Sequence, residues 1–455
     1  MFLAHDDETI IAQCTPIGSG AIALLRMSGA NSLVIADSMA KLASGKRIVD
    51  VDSHTIHYGS VRDVHGNSID NVLFLVMKAP RTFTGQDVIE ISCHNNQFII
   101  EEIINIALSF GARLAKEGEF SKRAVLNKKI DLVQAEAINE LIGAQTQQAL
   151  KRALAQVDGS FSHWISIIEK QLLKAMAFCE ASFEFIDEEL EFADQIKVMV
   201  SEILTTISRA KKSFDKQQHI RSGIKIALVG SVNAGKSSLF NALLGSARAI
   251  VTPIAGTTRD SIEASVTRFG TFWTLIDTAG LRITDDIVEQ EGIKRSLEQA
   301  ALADIVLLVY DASRLLSSQE LEAYSQILAQ HQAKIITVCN KIDQVVDFDS
   351  NNFSGVALSA QNKIGIDALE KKIQEKIISL MSQYDSPFLL NSRQFKLLGA
   401  LENKLNEILH MLENPQYELL SIHFNDALAH LSELTGKTVS EQTMDAVFNE
   451  FCVGK

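Results

Sequence analysis

The stretch GSVNAGKS, Gly230 to Ser237, decides the reading of this chain. It follows IKIALVG (Ile224 to Gly230), a short apolar run expected as a buried strand. It precedes SLFNALL (Ser238 to Leu244), whose apolar residues recur at helical spacing. That is a G-x-x-x-x-G-K-[ST] phosphate loop in its strand–loop–helix context. The glycines let backbone N–H groups turn onto phosphate oxygens, and the helix N-terminus adds partial positive charge. Asn233, Ala234, Gly235, Lys236, Ser237 and Ser238 therefore line a nucleotide site, with Lys236 on the β- and γ-phosphates and the Ser237 hydroxyl on Mg²⁺.

Further motifs select the base. Asp277, Thr278, Ala279 and Gly280 follow the strand-like FWTLI; Asp277 belongs near the Mg²⁺ shell and the Gly280 N–H on the γ-phosphate. Upstream, AGTTRD (Ala255 to Asp260, including Gly256, Thr257 and Thr258) supplies the Thr258 hydroxyl as a second Mg²⁺ ligand, a segment ordered by triphosphate and released on hydrolysis. Asn340, Lys341 and Asp343 form N-K-x-D after the strand-like IITVC. The Asp343 carboxylate accepts from guanine N1–H and its 2-amino group, neither of which adenine offers; such discrimination approaches ~10⁴. Ser359, Ala360 and Gln361 bring backbone N–H groups to guanine O6. The expected nucleotide is GTP.

Two departures from a Ras-like site bear on hydrolysis. Leu281 stands where a water-orienting glutamine often sits, so another polar group is needed, and Glu289 is the candidate. Asn233 puts an amide oxygen beside the phosphates, which suits K⁺ supplying the charge an arginine finger gives elsewhere.

With 455 residues the chain has room for roughly three domains. Residues 1–118 mix strand-like and helical runs (Ser32 to Leu42, Phe98 to Phe110) and read as an α+β domain. Residues 119–216 and 381–455 have helical periodicity, and 217–380 has the βα rhythm of a doubly wound sheet. The fold class is thus multidomain α+β and α/β, with a Ras-like G domain inserted into a helical bundle, although two separate bundles would show the same pattern. No apolar run reaches the ~18–20 residues of a membrane span, and no secretory pattern opens the chain. Cys14, Cys93, Cys179, Cys339 and Cys452 are scattered without a C-x-x-C pair, consistent with a reducing cytoplasm. The net charge of −13 argues against a protein that coats nucleic acid non-specifically.

Beyond the nucleotide motifs, the chain carries IIAQ (Ile10 to Gln13) before Thr15 and Pro16, LRMSG (Leu25 to Gly29), FTGQDVIE (Phe83 to Glu90), GEFSKRA (Gly118 to Ala124), LVQAEAI (Leu132 to Ile138) and the terminal FCVGK (Phe451 to Lys455). Together these resemble the tRNA-modification GTPase family MnmE, also called TrmE, over essentially the whole chain. The resemblance implies an N-terminal dimerising domain that binds 5-formyltetrahydrofolate through Arg26, Glu90, Lys129 and Lys455. It also implies K⁺ held by the Asn233 side chain and the Thr252, Ile254 and Thr257 backbone, with Pro253 in the same nucleotide-binding segment, and Glu289 as the catalytic glutamate. A homodimer would join an FAD-dependent MnmG-type partner in a heterotetramer that modifies carbon 5 of the tRNA wobble uridine. Where the family commonly has His-Gly-Gly, this chain has His94, Asn95 and Asn96, and asparagine tolerates left-handed backbone there. Cys452 matches the family's near-terminal cysteine. The competing readings are a ribosome-assembly GTPase and a self-assembling switch GTPase; neither a basic tail nor a KH-like G-x-x-G supports the first.

Overall fold

A computed structural model describes residues 8–181, 189–212, 214, 221, 223–245, 262–277, 299–345, 353–381, 388–413 and 417–454. The chain forms two compact units: Met1–Asn139 with Leu154–Ile207 and Ser392–Lys455, and Glu140–Ala153 with Ser208–Asn391.

The first unit opens with β1 (Ile10–Gln13), β2 (Ile22–Ser28), α1 (Ser32–Met39), β3 (Ala40–Leu42), β4 (Thr55–Arg62), β5 (Ser68–Met77), β6 (Val88–His94), α2 (Gln97–Ser109) and β7 (Arg113–Leu114). The strands make one seven-stranded sheet in the order β3-β4-β5-β6-β2-β1-β7, antiparallel except for the β1–β7 pair. Alternation explains its core. Val72, Phe74 and Val76 of β5 are buried, while Asn71 before them and Leu73 between them face out. The buried face packs on Ile35 and Met39 of α1 and Ile100 and Ile103 of α2. The helix expected over Ser32 to Leu42 stops at Met39, because Ala40–Leu42 pair with β4. That pairing needs Gly59: a Cβ there would lie 2.6 Å from Lys41 O.

Helices follow: α3 (Glu119–Leu126), α4 (Leu132–Gly143), α5 (Gln147–Val157), α6 (Ser160–Ala181) and α7 (Glu189–Lys211). The second unit contains β8 (Ile224–Gly230), α8 (Lys236–Gly245), β9 (Ile262–Arg268), β10 (Thr271–Asp277), β11 (Ile305–Asp311), α9 (Ser318–His331), β12 (Ile335–Asn340), β13 (Val356–Ala357) and α10 (Ile366–Met381). The chain closes with α11 (Ser392–Met411), α12 (Tyr417–Thr435) and α13 (Glu441–Phe448). In the first unit α12 packs against both α6 and α11, so helices from before β8 and after β13 in the chain share one bundle. The α6 face is Phe161, Ile165, Ile168, Leu172, Ala175 and Cys179, spaced by three and four residues. Arg393 of α11 ties α4 to α12, donating to the Glu136 carboxylate at 2.7 and 2.8 Å and to the Glu433 and Leu434 carbonyls.

The second unit is a six-stranded sheet, β13-β12-β11-β8-β10-β9. It is parallel except at its edge, where β9 runs antiparallel to β10; the expected parallel sheet is mixed there because a two-residue turn, Phe269 and Gly270, joins these strands. Central β8 is buried on both faces. Ile226 and Leu228 meet α8 and α10, while Ala227 and Val229 meet Tyr324 and Ile327 of α9. Among the described residues, no helix is long and apolar enough to cross a membrane.

Glu119 is a test of what holds α3. Burial alone would raise its pKa, but Arg113 donates to it at 2.6 and 2.8 Å, the Lys116 N–H at 2.9 Å and Arg123 at 3.0 Å. These bring it down from 4.5 to about 2. A carboxylate depressed on folding stabilises above its unfolded pKa and loses that contribution as pH falls towards its folded one. The stability difference between the protein and a Glu119→Gln variant should therefore be full at neutral pH and shrink between about pH 4.5 and 2, measured by denaturant titration.

Candidate functional site

The phosphate loop leaves the carboxyl end of β8, whose neighbours on either side are β10 and β11. Such a point, where chain connections depart to opposite sides, is where open α/β sheets bind ligands. Gly230 is required: a Cβ there would overlap the Val309 carbonyl. Asn233 follows in the left-handed region (φ 63) with its side chain exposed. Lys236 begins α8 and is buried, its Nζ donating to the Gly230 and Ser231 carbonyls at 2.8 Å each. Burial lowers its pKa and the Asp277 charge works the other way. The lysine thus waits on carbonyls of its own loop, near a helix N-terminus suited to anions. Ser237 and Ser238 are exposed, and Asp277 is buried at the end of β10.

The base motif is wired to this loop. Asn340, 2% exposed at the end of β12, donates from Nδ2 to Ala234 O at 3.0 Å and accepts from the Ala360 N–H at 3.0 Å. Its approach explains Gly235, which has φ +90 and where a Cβ would overlap Asn340 Nδ2. Lys341 has φ 65 and pairs with Asp311 at 2.6 Å. That turn leaves Asp343 exposed, free to accept from a base. Ser359 is buried and braces its turn by accepting from the Asn362 N–H at 3.2 Å, while Gln361 is exposed. Thr252, Pro253, Ile254, Ala255, Gly256, Thr257, Thr258, Thr278, Ala279, Gly280, Leu281 and Glu289 lie outside the described residues. Asp311 was not singled out from sequence, although an aspartate ending the apolar run IVLLVYD was a visible signal.

In the first unit, Arg26 and Glu90 sit opposite each other in the β2–β6 register and pair at 2.8 Å. Arg26 also reaches Gly454 O at 3.5 Å and lies 5.6 Å from the Phe120 ring centre. The Cys14 thiol donates to Gly454 O at 3.1 Å; burial raises its pKa, opposed by Arg26 and aided by Glu90. The chain's last described residue is thus part of this cluster, while Lys455 lies outside the described residues. Lys129 is held elsewhere, donating to Pro80 O at 2.9 Å. Cys452 is exposed, and its carbonyl accepts from Gly118 N–H at 3.4 Å. The asparagines beside this sheet do not use left-handed backbone. Asn96 is extended (φ -122) and caps α2 by accepting from Phe98 N–H, while Asn95 Nδ2 donates to Gly18 O at 2.8 Å.

A phosphate loop at this point of the sheet, with N-K-x-D hydrogen-bonded to it, defines a P-loop GTPase. A family model described as the MnmE helical domain matches residues 132–452, and one described as the N-terminus of the GTP-binding protein TrmE matches residues 9–129. The protein named tRNA modification GTPase MnmE from Christiangramia forsetii is 36% identical over 474 residues, covering 99% of each chain. Its namesake from Bacillus licheniformis is 37% identical over 468 residues, covering 98% of this chain and 100% of its own. The chain belongs to the MnmE (TrmE) family. Among solved structures, the G domain of the T. maritima FeoB iron transporter is 28% identical, covering 34% of this chain and 98% of its own, with a TM-score of 0.27.

Replacing Asn340 with Ala leaves the Ala360 N–H and the Ala234 carbonyl without their partner. Each unpaired buried group costs about 1–3 kcal/mol, so guanine-nucleotide affinity should fall by about tenfold or more in equilibrium titration. An unchanged affinity would mean that the two loops do not depend on this side chain.

Proposed function

We propose that this chain is a K⁺-stimulated GTP hydrolase of tRNA modification. With an FAD-dependent MnmG-type partner it modifies carbon 5 of the wobble uridine in certain tRNAs, adding an aminomethyl or carboxymethylaminomethyl group. The observation that carries the reading is the Asn340 side chain joining the phosphate loop to the Ser359–Gln361 turn, in a chain similar end to end to proteins named tRNA modification GTPase MnmE.

In this reading residues 1–118 dimerise and bind folate, 119–216 with 381–455 form the helical domain, and 217–380 the G domain. Lys236 turns from its own carbonyls to the β- and γ-phosphates, and Asp343 accepts from guanine. Ser237 and Thr258 would hold Mg²⁺, while the Asn233 side chain and the Thr252, Ile254 and Thr257 backbone would hold K⁺; the two ions would neutralise charge developing on the phosphates. The exposed Asn233 amide suits such a ligand. Glu289 orients and deprotonates the attacking water once two G domains meet. The half-buried Arg26–Glu90 pair beside the Gly454 carbonyl suits a ligand that carries carboxylates and pterin N–H groups, as 5-formyltetrahydrofolate does, with Lys129 and Lys455 as further cations. The homodimer joins its partner as a heterotetramer in the cytoplasm, and the partner supplies most of the tRNA-binding surface, which accommodates the net charge of −13.

GTP turnover should be about tenfold or more faster in KCl than in NaCl; equal rates would remove the alkali cation from the mechanism. Glu289→Ala should slow hydrolysis by about 10²–10⁴ while nucleotide affinity stays within a few fold, measured by single-turnover kinetics and titration. Mass spectrometry of tRNA from cells lacking the gene should show unmodified wobble uridine, and intact modification would overturn the biological role.

A further inference from the structure

Tyr324 and Arg314 have no part in the roles assigned above, yet both reach one residue of the phosphate loop. The Ser231 N–H donates to the Tyr324 oxygen at 2.6 Å, and that hydroxyl donates to Val309 O at 3.0 Å. Arg314 Nη2 donates to Ser231 Oγ at 2.8 Å. The same guanidinium is forked onto Glu320, at 2.9 Å from Nη1 and 2.5 Å from Nη2. Neither anchor is loose. Tyr324 is 5% exposed and meets Tyr310 edge-on at 4.8 Å. Glu320 is locked in a capping box with Ser317 at the start of α9, and Arg314 with the Ser317 N–H holds its pKa at about 2. Gly230 records the same approach: a Cβ there would stand 3.3 Å from the Tyr324 oxygen.

We propose that Tyr324 and Arg314 are positioning residues of the nucleotide site, acting through Ser231 to hold the phosphate loop in the shape that receives the phosphates. Ser231 is held at its N–H by Tyr324, at its Oγ by Arg314, and at its carbonyl by Lys236 and by the Ala234 N–H at 3.3 Å. When Lys236 leaves for the phosphates, its own tether goes, and those from Tyr324, Arg314 and the Ala234 N–H stay. Tyr324 is neutral, and the Glu320 carboxylate paired with Arg314 offsets its charge, so neither residue competes for the lysine's place. The segment from Arg314 to Tyr324, which includes the first two turns of α9, thereby becomes a fixed wall behind the loop.

This inference rests on the reading that the site takes GTP, and its test separates the two. Release of a fluorescent GDP analogue from the full-length protein is followed by stopped flow. The variants are Tyr324→Phe, Arg314→Ala, Arg314→Lys, Ser231→Ala and the double variant Ser231→Ala with Arg314→Ala. Tyr324→Phe should release nucleotide about tenfold faster, the effect of one lost buried hydrogen bond, and Arg314→Ala, whose contact with Ser231 is exposed, about two- to fivefold faster. Arg314→Lys should behave like the alanine variant, since an ammonium lacks the planar fork that meets both Glu320 oxygens and Ser231 Oγ at once. In the Ser231→Ala background, Arg314→Ala should add almost nothing, because its effect passes through that hydroxyl. A merely structural arginine would instead add its full effect there, and that result, or unchanged release in both single variants, overturns the proposal. Should Tyr324→Phe fail to fold, the Ser231–Arg314 cycle decides alone. If the unaltered protein binds no guanine nucleotide, the functional reading falls and this inference with it; tight binding with unaffected variants removes only the inference.

Discussion

The Asn340 carboxamide joins two loops that come from opposite sides of the same strand end. One side of it takes the Ala360 N–H and the other gives to the Ala234 carbonyl, both in a site closed to water. In such surroundings a hydrogen bond is strong, and an unmade one is costly. The phosphate-binding and base-binding parts of the site are therefore one structure, whose dimensions follow from strand spacing. Asn340 ends β12, β12 pairs with β11, and β11 pairs with β8, which opens into the phosphate loop. Two steps of ~4.8 Å across a sheet set the distance from triphosphate to base.

The same logic explains the glycines. Gly230 lets the loop leave β8 against the Val309 carbonyl, and Gly235 lets Asn340 approach at a left-handed turn. Neither is there for flexibility; each marks where another group comes too close for a side chain. Lys236, buried and bonded to its own loop, shows how a cation is stored before use. Its charge is satisfied by carbonyl oxygens that a phosphate can replace.

In the first unit, the constraint is the antiparallel register that sets Arg26 against Glu90. Around that pair the fold gathers distant pieces: Cys14 from the end of β1, Phe120 from α3, and Gly454 from the last residues of the chain. Phe448 and Phe451 pack with Leu132 and Met444 and carry the tail to this point. Gly454 has φ +92, and a Cβ there would lie 2.5 Å from Gln13 O. The tail is thus built into the sheet's edge.

Local sequence was enough for the nucleotide loop, for the βα alternation around it, for the strand Ile10–Gln13 and for the first four residues of β6, Val88 to Ile91. These rest on short-range rules: which residues turn, which alternate, and which spacing places a lysine after two glycines. Short strands such as β3 and β7 lack a pattern of their own and exist because a neighbour pairs with them. For that reason α1 ends three residues before its apolar periodicity does. Asn95 and Asn96 were read as residues that tolerate a left-handed turn, which they do not adopt; their work as a brace on Gly18 and a cap on α2 depended on what lay beside them. Which helices share a bundle, why Tyr324 and Arg314 both close on Ser231, and how Gly454 comes to Arg26 were decided only in three dimensions. Each is a contact between residues far apart in the chain, created by the summed burial of whole elements, and no local spacing encodes it.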